Sequence, residues 1–189
     1  IDQSNTRGPR PHNRLTIFVG LAFFVAGLGS PLLSAKESAA TWIWYPERAP
    51  SDCIDAWRFF RKRFSLGEAP VAATLRIIAD DSYAASINGV PLATPAKGGG
   101  FDVGGLLRSG ENLIAIKGHN VSGPAGLIAA LEIRAQSGDG ARVVTDASWS
   151  TTREEVEGWD RPDFGAPGWL PAQEIGDAFA PPWHRLGYG

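Results

Sequence analysis

Period-two alternation is the feature that most constrains this chain. Ala73, Leu75, Ile77 and Ala79 fall on one side of the TLRIIA segment with Arg76 on the other, and Leu127, Ala129, Leu131 and Ile133 oppose Glu132 and Arg134 in GLIAALEIRA. Side chains of a strand point alternately to its two faces, so both segments predict half-buried strands of an antiparallel sheet. Between them, Tyr83–Ile87 enters Asn88-Gly89 and leaves through Val90–Ala93. Asn-Gly between apolar runs predicts a type I′ hairpin, because both central residues must take positive φ. Gly110-Glu111-Asn112 introduces another strand at Leu113–Lys117, and WRFFRKRF at 57–64 is a further one. No long helical pattern occurs. With 23 glycines, 14 prolines and seven tryptophans in 189 residues, the chain is predicted to be all-β, a two-sheet antiparallel sandwich. PAKGGG at 95–100 and the segment 153–172 are predicted loops; the second is long for a compact domain and is either functional or packed across a sheet edge.

Composition removes several function classes. The net charge is −2, without the basic excess that a nucleic-acid surface carries. A lone Cys53 excludes an intrachain disulfide, a cysteine zinc cluster and covalent haem attachment. Neither a phosphate-binding G-x-x-x-x-G-K-[ST] loop nor a G-x-S-x-G nucleophile elbow is present. At the start, Arg7, Arg10 and Arg14 precede a run from Leu15 to Ala35 without a charge. Residues 1–40 therefore read as a signal peptide, with small residues near Ser34–Ala40 for cleavage, or as a retained membrane anchor of about spanning length. Either predicts an exported protein, secreted, periplasmic or at the cell surface, which touches a membrane only if the leader is kept. Residues 41–189 form the predicted module. The lack of methionine, with Ile at position 1, predicts a partial sequence.

Candidate site residues are few. Asp80-Asp81 supplies two adjacent carboxylates for calcium, which takes six to eight oxygen ligands, yet Asp also starts turns by bonding its own backbone. A structural calcium at Asp80-Asp81 is left open by these residues, and no other cofactor is expected. Among the carboxylates, spacing selects no glycosidase pair. Trp42 and Trp44 are expected on one face of a first strand with Ile43 opposite. Flat indole faces stack on sugar rings, and they also fill cores. The residues expected to contact a sugar are Trp44, Tyr83 and Trp159 through ring faces and Asn120 through its amide. Asn120-Val121-Ser122 also fits a glycosylation sequon.

The ordered segments WIWYPE (42–47), FFRKRFSL (59–66), ATLRIIADDSYAASINGVPL (73–92), FDVGGLLRSGENLIAIKGHN (101–120), GLIAALEIR (126–134), VTDASWSTT (144–152) and GWDRPDFGAPGWLPAQEIG (158–176), then Pro182-Trp183, are distinctive. Together they resemble the galactose-binding-like jelly-roll domain beside the catalytic barrel of bacterial α-L-rhamnosidases and related secreted glycoside hydrolases. The resemblance implies a two-sheet sandwich, usually non-catalytic, with ligand loops at one end. In that family the Asp-Asp-x-Tyr segment and the Asn-Gly turn are mostly structural. PA14-type domains also carry a double Asp, which some members use for calcium-dependent sugar binding. The functional expectation is a non-enzymatic carbohydrate-binding or accessory module whose partner is a glycan or an adjacent catalytic domain. The alternatives are a docking module that binds no sugar and a fragment of a glycoside hydrolase.

Overall fold

A computed structural model describes residue 1, residues 39–93 and residues 100–185. Most of the leader and most of the 95–100 loop lie outside the described residues. In chain order the strands are β1 (Thr41–Trp44), β2 (Ala56–Leu66), β3 (Ala72–Asp80), β4 (Ser82–Ile87), β5 (Val90–Pro91) and β6 (Gly100–Asp102). They continue as β7 (Gly110–Asn120), β8 (Gly126–Arg134), β9 (Gly140–Val144), β10 (Ser150–Thr152), β11 (Leu170–Pro171) and β12 (Gln173–Asp177). The helical elements described are short 3-10 turns at Pro50–Cys53, Gly104–Leu106 and Trp183–Arg185. The protein is all-β.

Two antiparallel sheets result, one in the order β12-β1-β8-β3-β6 with β9 also on β8, the other in the order β11-β10-β2-β7-β4-β5. β1 and β9 share one edge of β8, at Leu127 and at Ala130–Arg134 respectively. Fully buried Thr145 closes the gap between them. Its hydroxyl donates to Thr41 O at 2.7 Å and accepts from Ala129 N–H at 3.1 Å, which satisfies backbone groups that neither ladder reaches. The inter-sheet core holds Leu75, Ile77, Leu127, Ala129 and Leu131 from the first sheet against Phe60, Ile87, Ile114 and Ile116 from the second, as period-two packing requires. The hairpin forms as expected, with φ of +53° at Asn88 and +81° at Gly89.

Two expectations about faces are corrected. The register shifts between Trp42 and Ile43, and such an irregularity breaks strict alternation. Trp44 and Ile43 consequently join the inter-sheet core while Trp42 joins a smaller cluster with Ile128, Ala130, Val144 and Trp183. That cluster explains the second correction: β8 is buried on both faces along its first half, because Trp183 of the C-terminal tail stacks on Trp42 at 4.7 Å and covers the outer side.

Candidate functional site

The segments entering β2, joining β3 to β4 and leaving β7 meet at one end of the sandwich. Asp81 donates its N–H to His119 O at 2.7 Å and accepts from Val121 N–H through its carboxylate at 2.7 Å. Asp55 N–H reaches Val121 O at 3.1 Å. Asp55 sits at φ +46°, a conformation that Asp tolerates, and its carboxylate bonds His119 Nε2 at 2.9 Å. The imidazole in turn lies parallel to Trp57, with ring centres 4.1 Å apart and planes 7° apart. Trp57 is 40% exposed, so an aromatic ring is pinned on a solvent-facing rim beside exposed Asp55, Asp81 and Ser82.

Behind the rim, Asp80 accepts from Trp183 Nε1 at 2.9 Å. Burial holds the Asp80 carboxyl above its ordinary pKa; the Trp183 hydrogen bond opposes the shift and the neighbouring Asp81 charge adds to it. Asn120 is fully buried and donates to Cys53 O at 2.6 Å and Gly123 O at 3.4 Å, while its Oδ1 has no protein partner. Repelling carboxylates and an orphan amide oxygen one residue from Val121 are hard-oxygen donors of the kind calcium takes. Among the described residues, no group of three or more His, Cys, Asp or Glu side chains is arranged to hold a metal, so carbonyls and water would have to complete such a shell.

The four expected contact residues separate. Trp44 is 2% exposed and Asn120 0%; packed inside the sandwich, neither presents a face or amide to a ligand. The sequon is equally closed, because the Asn120 amide nitrogen is engaged with backbone carbonyls. Tyr83 is partly buried on the core side of β4, and its hydroxyl lacks a protein partner. Burial raises its pKa. Trp159 lies on the opposite side of that sheet, partly exposed and edge-on to Phe59 at 5.1 Å and 76°.

Trp57 and His119 escaped the sequence reading, although a signal was present. In β2 the odd positions Trp57, Phe59, Arg61 and Arg63 share the outer face, paired with His119, Lys117, Ala115 and Leu113 of β7. Both edges of the run look apolar and basic, so alternation alone leaves the inward face undecided. The loop expected at 153–172 resolves it. Residues 156–169 form a strap over this outer face, where Arg61 donates to Phe164 O and Arg161 O, each at 2.9 Å, and Arg63 donates to Pro162 O.

No protein-family profile matches the chain. An α-L-rhamnosidase from Streptomyces avermitilis is 37% identical over 171 residues, which cover 83% of this chain and 16% of that protein. This chain is homologous to part of an α-L-rhamnosidase. It spans about a sixth of that relative's length. The crystal structure of the Streptomyces avermitilis rhamnosidase complexed with L-rhamnose superposes with a TM-score of 0.70 at 35% identity, over 76% of this chain and 15% of that one. The apo lectin of Pleurotus ostreatus gives 0.70 at 31% identity over 76% and 43% of the two chains, and its complex with GalNAc gives 0.67 at 30% over 77% and 45%. The galactose-binding-like sandwich expected from the sequence is thus shared with a rhamnosidase region and with a lectin.

Proposed function

We propose that this chain is a non-catalytic carbohydrate-binding module, with its primary site on the Trp57 rim. One observation carries the reading: Trp57 remains 40% exposed, its ring fixed by the His119 imidazole stacked on one face, at the end where Asp81 and Ser82 are also exposed. An indole face accepts the C–H side of a pyranose, and flanking carboxylates and hydroxyls orient its hydroxyl groups. Asn120, tying Cys53 to Gly123, holds the rim from below. If calcium binds, the adjacent Asp80 and Asp81 carboxylates are the residues to hold it, with carbonyls and water completing the shell, and the ion would supply a positive charge for sugar oxygens. The small share of the rhamnosidase that this chain spans supports a role without hydrolysis, and the charged-then-apolar leader pattern supports export.

Titration calorimetry of the chain with L-rhamnose and with GalNAc, each with and without calcium, tests the reading. Binding of one sugar that is lost in Trp57→Ala is expected, with no hydrolysis of aryl rhamnosides. Failure of both sugars to bind would favour docking, which the exposed Ile54 (59%) and Val121 (51%) around the same rim support.

A further inference from the structure

The outer face of the β2-β7-β4 sheet is half open and half covered, and the boundary is a step. Its first two cross-strand rows are Trp57–His119–Ser82 and Phe59–Lys117–Ala84. Trp57, Ser82 and Ala84 are exposed there. The third row, Arg61–Ala115–Ser86, is 3%, 0% and 5% exposed. The cover is the 156–169 strap, which runs from β2 across β7 to the hairpin, where Arg161 Cγ would lie 3.7 Å from a Cβ at Gly89. At the step stands Trp159 on Phe59, with Trp169 beside it at 6.4 Å and 21°, and both rings are partly exposed. Lys117 lies between this wall and the rim. Its Nζ is 4.6 Å from the Trp57 ring centre, 5.4 Å from that of Phe59 and 2.7 Å from Glu155.

We propose that this step is a second contact surface of the site, taking the inner units of an extended oligosaccharide whose terminal residue sits on the Trp57 rim. The inference rests on the sugar-binding reading and adds the class of ligand, a chain of two or more units in place of a lone monosaccharide. Successive rows of a strand lie about 7 Å apart along it, so Trp57 and the wall are separated on the scale of sugar rings. Rings alternating with a lysine–glutamate pair match a glycan, which offers apolar ring faces and hydroxyls in alternation. A protein partner needs a more continuous apolar patch. The wall is also rigid before binding. Three carbonyls of the strap are clamped by Arg61 and Arg63, and Phe164 lies 5.2 Å from the Arg61 guanidinium, so little ordering remains to oppose association.

The test compares L-rhamnose with a rhamnose-terminated tetrasaccharide by calorimetry on the full chain. The tetrasaccharide is expected to bind roughly tenfold tighter. Trp159→Ala should abolish that gain and leave the monosaccharide affinity unchanged; Trp57→Ala should weaken both ligands. Trp159→Phe, which keeps an edge on Phe59, guards against misfolding and should retain part of the gain. Equal affinity for the two ligands, or a full gain in Trp159→Ala, overturns the second surface and leaves the rim site standing. If neither ligand binds, the sugar-binding reading falls first and this inference with it.

Discussion

Gly126→Ala probes the joint between the C-terminal tail and the rim. A Cβ at Gly126 would stand 2.9 Å from Trp183 Cζ2, 2.9 Å from Trp42 Cε3 and 3.0 Å from Trp183 Cε2, all closer than carbon atoms pack. Gly126 pairs with Asp80 on β3, so the strand cannot slide away without breaking its ladder. The indoles must move instead. Overpacking a core in this way costs about 1–3 kcal/mol, and loosening the Trp183–Asp80 hydrogen bond adds about 1 kcal/mol. For a domain of this size 1 kcal/mol moves the midpoint by about 2–4 °C, so thermal unfolding followed by circular dichroism should show a fall of roughly 5–15 °C. A double-mutant cycle separates clash from backbone effects. In a Trp183→Ala background two of the three offending atoms are gone, and the added cost of Gly126→Ala should shrink. An unchanged midpoint in the single variant, or an equal cost in both backgrounds, refutes the reasoning.

Gly89→Val places a β-branched residue at φ +81° and should lower stability by about 1–3 kcal/mol, read as a drop in urea midpoint at constant slope; an unchanged midpoint would mean that the turn can adopt another geometry. Asp80→Asn addresses pH. Because burial raises the folded-state pKa of Asp80, the folded protein holds that proton more tightly than the unfolded chain. Stability from this group is therefore full below the unfolded pKa and declines as pH rises through the folded value. With chelator present, Asp80→Asn should gain stability over the wild type at neutral pH and lose that advantage in acid; a constant difference across pH would refute the assignment.

Alternation and turn chemistry were enough to read the strands of the core and the hairpin, because those signals are local. Leu75 and Ile77 need only their own neighbours to declare a face, and Asn88-Gly89 needs only its own dihedrals. The tryptophans were not legible in this way. Trp44 and Trp57 occupy similar strands with similar neighbours, yet one is sealed in the core and the other stands on the rim. What separates them is remote in sequence: an irregular register at Trp42/Ile43 turns Trp44 inward, and His119, 62 positions from Trp57 along the chain, supports the ring from outside. Asn120 misled for the same reason. Its amide holds two connections together, a role that only long-range contacts define.

Arg61 ties the strap to the sheet by directed hydrogen bonds as well as lying beneath it. A guanidinium that is 3% exposed and has no carboxylate within ion-pair range among the described residues is costly, since burying a charge forfeits its hydration. Burial lowers its pKa, the nearby Arg63 charge adds to this and Asp160 opposes it. Apolar residues beneath the strap would cover Ala115 and Leu113 without that cost. What an apolar side chain lacks is direction: two guanidinium N–H groups aimed at Phe164 O and Arg161 O fix the height and angle of the strap. The same guanidinium lies 5.7 Å from the Trp169 ring centre, so the fixed backbone and the paired indoles form one unit. A surface meant only to shed water has no use for that precision; under the proposed reading, it sets the aromatic wall at a fixed distance from Trp57.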